Sequence, residues 1–111
     1  MKKKKTTSGK VPTHYSKFLK NYPEVAKSYT DLSAAVKKVG PLNPKTRALI
    51  KLGIAVGLKH EGAVHSHTRK SLEAGATAEE IRQAVVISLT TIGFPSMMAA
   101  LSWVNDVLEQ R

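Results

Sequence analysis

Between Asn43 and Leu108 apolar residues recur every three or four positions through successive runs punctuated at Gly75 and at Gly93–Phe94–Pro95–Ser96, with no internal repeat. That spacing commits it to packed helices, because a half-buried strand would alternate instead, and no segment alternates convincingly. Asn43 caps and Pro44 opens the first of these helices. Its Leu49, Ile50, Leu52, Ile54, Ala55, Val56 and Leu58 point almost all round, predicting a central helix buried on several sides. Gly53 and Gly57 are expected to let a neighbouring helix approach. A histidine-bearing helix follows, running to Leu72 and stopping at Gly75. Thr77 to Glu80 reads as a capping box opening a helix through Ile92. Gly93–Phe94–Pro95–Ser96 breaks it before a last helix carrying Met97, Met98, Leu101, Val104 and Leu108 at core spacing.

Upstream, Val25, Tyr29, Leu32, Val36 and Val39 line one face of a helix begun at Pro23 and stopped at Gly40–Pro41. A short helix or turn over residues 13–22 precedes it. The predicted fold is an all-α, compact bundle of five to six helices spanning residues 13–111, after a basic tail at 1–12 expected to be a disordered, solubilising end. For 111 residues, the apolar faces exceed what one small core can cover. A homo-oligomer with closed symmetry is the expected outlet.

Composition narrows the function. Without cysteine there is no disulfide, thiolate nucleophile or zinc–sulfur site. No apolar run reaches the roughly 18 residues of a membrane span. No apolar segment follows the N-terminal lysines as a secretory signal requires, so a cytoplasmic location is expected. Of a net charge of +10, five lysines lie in Met1–Lys10, leaving +5 for the body. Such a body attracts small anions as readily as nucleic acid. Nucleic acid is disfavoured because the helix beginning at Ala78 presents Glu79 and Glu80 where a recognition helix would contact bases.

Three of the four histidines, His60, His65 and His67, fall within eight residues. At about 100° per residue, His60 and His67 share a helix face and His65 lies nearly opposite His67. The rise from 60 to 67 is roughly 10 Å, too far for two imidazoles to share one ion. Glu61 and His65, four apart, form either a weak metal pair or a surface ion pair. Arg47 and Lys51, also four apart, can bind an anionic group or serve as ordinary surface charges. His67 reads either as a hydrogen-bonded histidine in a helix interface or as a proton-transfer group. Burial on its partly apolar face would keep it neutral.

The run from Leu42 to Leu108 resembles the carboxymuconolactone decarboxylase family, which includes alkyl hydroperoxidase D. The resemblance rests on Pro44-Lys-Thr-Arg-x-Leu-Ile, on His67-Thr-Arg-Lys-x-Leu-x-Ala-Gly-Ala-Thr-x-Glu-Glu-Ile, and on Gly93-Phe-Pro before an Ala-rich helix. It implies an alkyl hydroperoxidase D-like helical fold, trimeric or hexameric. In the peroxidase branch the site is Cys-x-x-Cys-x-x-x-His with a relay glutamate. Here those positions hold His60, Ala63 and His67, with Ala48 for the glutamate, so disulfide peroxidase chemistry is not expected. The decarboxylase branch keeps a histidine at His67 and the Gly93–Phe94–Pro95 turn.

The resemblance therefore implies a lyase acting on a small anionic lactone or enol acid, with His67 as catalytic residue and no metal or redox cofactor. His60, Arg47 and Phe94 are the expected substrate contacts. His67 is expected to face an enclosed pocket, with His60 near its mouth and His65 pointing away. The alternatives are a non-catalytic small-molecule-binding or metal-binding descendant of the fold, and a basic nucleic-acid-binding helical protein.

Overall fold

The computed structural model describes residues 13–110; the lysine-rich tail lies outside them. The described residues are all-helical, with six helices of nine or more residues and one single-turn segment. These are α1 (Thr13–Asn21), α2 (Pro23–Lys37), α3 (Pro44–Gly57), α4 (Glu61–Glu73), α5 (Ala78–Val86), α6 (Leu89–Ile92) and α7 (Phe94–Leu108). They divide into two compact units, with the boundary between Pro41 and Leu42.

In the first unit α1 packs on α2, and the rings of Phe18 and Tyr22 lie 5.8 Å apart. Pro23 opens α2 at a position whose amide would have no helical partner. Ala26 is the buried residue of α2, while the stripe Val25, Tyr29, Leu32, Val36 and Val39 is exposed throughout.

In the second unit, the predicted caps at Asn43 and Thr77 are realised by hydrogen bonds. Asn43 accepts from the Thr46 amide at 2.8 Å. The capping box closes in both directions: Thr77 Oγ1 accepts from the Glu80 amide at 3.0 Å and Glu80 Oε1 from the Thr77 amide at 2.9 Å. Gly75, at φ +98°, ends α4, in a left-handed conformation that a side chain would strain. α3 packs along α4, α4 on α7, and α5 on α7. Between them lies the core: Leu52 and Val56 of α3, Val64 of α4, Ile81 and Val85 of α5, and Met97, Ala100 and Val104 of α7. Lys45 ties α3 to α5 through Glu80 at 3.0 Å, and Arg82 ties α5 to α7 through Asn105 at 2.9 Å.

Several expectations are corrected. The helix predicted to run from Thr77 through Ile92 breaks after Val86. There Ser88 Oγ donates to the Val85 carbonyl at 2.6 Å, offering the backbone a local alternative to the helical bond. α3 is buried on one side only, since Leu52, Ala55 and Val56 are enclosed whereas Ile50, Ile54 and Leu58 are exposed. Gly53 and Gly57 face open space rather than a neighbouring helix. Met97 is core, but Met98 is exposed.

Candidate functional site

The open side of α3 forms the floor of the site. Lys51, Ile54, Ala55 and Leu58, at helical spacings of three, four and seven, share one face. Opposite them on α4 stand Ala63 and His67, four apart. Together these six residues line a cleft of about 100 Å³, open to solvent on one side rather than enclosed. At roughly 30 Å³ per water it holds about three water volumes, below the roughly 300 Å³ at which typical ligand pockets begin.

His67 is held in place by the best-buried part of α4. Val64, Thr68 and Ser71 around it are fully enclosed, and the two hydroxyls bond back along the helix, Thr68 to the Val64 carbonyl and Ser71 to the His67 carbonyl, each at 2.7 Å. The imidazole itself is half-buried. Burial, then the charges of Lys70 and Lys51, hold its pKa below the ordinary histidine value, so the neutral ring is favoured near pH 7. A neutral imidazole beside a lysine in an apolar cleft can take a proton, and its conjugate acid can return one.

The other expected site residues are not among those lining the cleft. His60 is the N-cap of α4: its Nδ1 accepts from the Ala63 amide at 3.0 Å, which places the proton of the neutral ring on Nε2. Arg47, one turn before Lys51, donates to the Leu42 carbonyl at 2.7 Å. Phe94, the first residue of α7, is 60% exposed. Ala63, where the resemblance places a peroxidase thiol, stands one turn from His67 on the same face of α4 in the cleft lining.

His65 points to the opposite side of α4, as helical phase requires. Its Nε2 lies 2.9 Å from Asp106 Oδ2 on α7 and 3.9 Å from Glu61 Oε2. The three ligand atoms lie within 4.8 Å of one another, so Asp106 joins the pair Glu61 and His65 read from spacing. Glu61 and Asp106 are exposed and His65 is half-buried, and the geometry equally serves an ion pair when His65 is protonated. Asp106 is 41 residues away in sequence, and only the packing of α7 on α4 brings it in.

The sequence offers Lys51 only as an anion contact beside Arg47 and does not single out the apolar lining as a site. The signal was available: 51, 54, 55 and 58 trace one helix face, with 63 and 67 forming another on the next helix. What spacing does not reveal is that this face stays open.

Known proteins resemble this chain over most of its length. The carboxymuconolactone decarboxylase family matches residues 23–106, taking in α2 as well as the cleft helices. An uncharacterised protein of Methanocaldococcus jannaschii is 31% identical over 88 residues, covering 79% of this chain and 82% of that protein. A nitrosuccinic acid decarboxylase of Metarhizium robertsii is 33% identical over 73 residues, 62% of this chain. That alignment covers 51% of the fungal protein, about half its length. No solved structure gives a significant match. The match spans both cleft helices and most of the chain, and on it the chain belongs to the carboxymuconolactone decarboxylase family.

Proposed function

We propose that the cleft binds a small organic anion and that His67 transfers a proton at it, in a decarboxylase-like reaction. The observation that carries this reading is His67 facing Lys51 in a cleft otherwise lined by Ile54, Ala55, Leu58 and Ala63. In a decarboxylation the bond from carbon to carboxylate breaks. Its electron pair passes into an adjoining carbonyl or nitro group, and carbon dioxide leaves. The carbon then takes one proton, which His67 gives as imidazolium and regains from solvent at the open side. The family supports the reaction class, and the fungal relative's name supports a nitro or carbonyl acid beside a carboxylated lactone as substrate.

The small cleft and the apolar residues beside it fit a site finished by a second copy. Ile54 is 58% and Leu58 71% exposed while lining it, and Ile50 continues the stripe at 45%. Exposed apolar surface of this extent marks an interaction site. We place the active form as a homo-oligomer with this stripe covered.

A second reading, a binding protein that retains the cleft without the chemistry, is favoured by one observation: among the described residues no carboxylate lines the cleft to accept a proton from His67. Turnover separates the two. Carbon dioxide release from nitrosuccinic acid and from a carboxylated unsaturated lactone should be measured with the wild-type protein and His67→Ala. The proposal expects release that falls by roughly 10²–10⁴-fold in the variant, the usual scale of acid–base assistance. Unchanged release in His67→Ala removes His67 from the chemistry; saturable binding without release establishes the second reading.

A further inference from the structure

We propose that Lys51 holds the retained acid group of the ligand and thereby sets the specificity of the cleft for small acids. This rests on the small-anion reading above and names the residue that enforces it. Two polar side chains line the cleft, Lys51 and His67, and the other four are apolar. The remaining candidates for anion recognition are engaged: Arg47 with the Leu42 carbonyl and His60 with the α4 amide it caps. Lys51 differs from Lys27 and Lys45, which pair with Asp31 and Glu80 at 2.8 and 3.0 Å. Among the described residues it has no acidic partner, leaving its charge available to an incoming carboxylate.

Position decides which acid group Lys51 takes. A cation clamped on the carboxylate that departs would stabilise the ground state more than the transition state, where that charge is dispersing, and would slow the reaction. On the group that stays, its interaction is kept throughout. The departing carboxylate then lies against Ile54 and Leu58, and with that stripe covered in the oligomer proposed above, desolvation disfavours its charge and favours neutral carbon dioxide.

Binding is also linked to protonation. The cations felt at His67 are Lys51 from α3 and Lys70 from its own helix. Of the acids on the helices packed against α4, Asp106 of α7 pairs with His65 and Glu80 of α5 with Lys45, and none of them, Glu79 included, lines the cleft or shifts His67. An anion on Lys51 offsets that field and draws a proton onto His67, the proton the reaction consumes.

The test uses succinate as an unreactive diacid and succinamide as its neutral counterpart, with His67 ring resonances followed by nuclear magnetic resonance in the full-length protein. Wild type, Lys51→Gln and Arg47→Gln are compared, with circular dichroism confirming that each is folded. Succinate should shift His67 saturably in wild type and raise its titration midpoint, and succinamide should do neither. Lys51→Gln should weaken succinate about tenfold, the scale of one charge-assisted hydrogen bond, and Arg47→Gln by less than about twofold. Without ligand, Lys51→Gln alone should raise the His67 midpoint. If Lys51→Gln binds succinate as wild type does, or Arg47→Gln loses as much, the Lys51 assignment is overturned while the small-anion reading stands. If wild-type His67 ignores succinate altogether, both fall together.

Discussion

The two sides of α3 should respond oppositely to the same truncation. Leu52 is 0% exposed in the core, whereas Ile50, two residues away, is 45% exposed on the open stripe. Each change to alanine removes three carbons, about 2.4 kcal/mol of transfer free energy at roughly 0.8 kcal/mol per carbon. At Leu52 the full amount applies and a cavity is left among Val56, Val64 and Val104, bringing the cost to about 3–4 kcal/mol. At Ile50 about half applies and solvent fills the space, so the cost in an isolated chain is about 1 kcal/mol. Urea unfolding followed by circular dichroism at several protein concentrations reads both values. The Leu52→Ala penalty should not depend on concentration beyond the wild-type dependence. The Ile50→Ala penalty should grow with concentration as an oligomer covering the stripe is lost. Equal penalties at the lowest concentration would show that the core face of α3 has been misassigned. An Ile50 penalty that stays at about 1 kcal/mol throughout would show that nothing covers the stripe.

Two further outcomes follow from local chemistry. Thr77→Ala opens the capping box at α5 and should cost about 1 kcal/mol in urea unfolding, within a range of roughly 0.5–2, while Thr77→Ser keeps most of it; an unaffected Thr77→Ala midpoint would mean the box contributes nothing. His67 binds its proton more weakly folded than unfolded, so stability is fully present above the unfolded value of about 6.5 and declines with acidification between that value and the lowered folded one. His67→Gln should flatten this part of the pH–stability profile, and parallel profiles for the two proteins would remove the burial argument.

The fold was legible where chemistry is local. Asn43, Pro23, Pro44, Gly75 and the Thr77–Glu80 box act within one helical turn, and each start or stop they announced is present. The break at Ile87–Ser88 was not legible, because a run of Val85, Val86, Ile87 and Leu89 keeps an apolar pattern while Ser88 redirects a single hydrogen bond. Burial was legible only in part. Periodicity gives the phase of an apolar face but not its partner, which is why Val25, Tyr29, Leu32, Val36 and Val39 fall on one face of α2 as read, yet lie exposed in the single chain.

The site divides along the same line. Helical phase alone put His65 and His67 on opposite sides of α4, and the structure has them reaching Asp106 and the Lys51 cleft respectively. Residue type alone nominated Arg47 and His60 as anion contacts, but type does not register competition from the backbone. Arg47 begins the same face as Lys51 one turn nearer the helix start, where the Leu42 carbonyl is within reach of its guanidinium. His60 sits where α4 needs an acceptor for a free amide, and its Nδ1 fills that need. Helix ends present unsatisfied groups that capture polar side chains. Lys51 lies a full turn further into α3, where backbone groups are already paired, so its charge is left for the cleft.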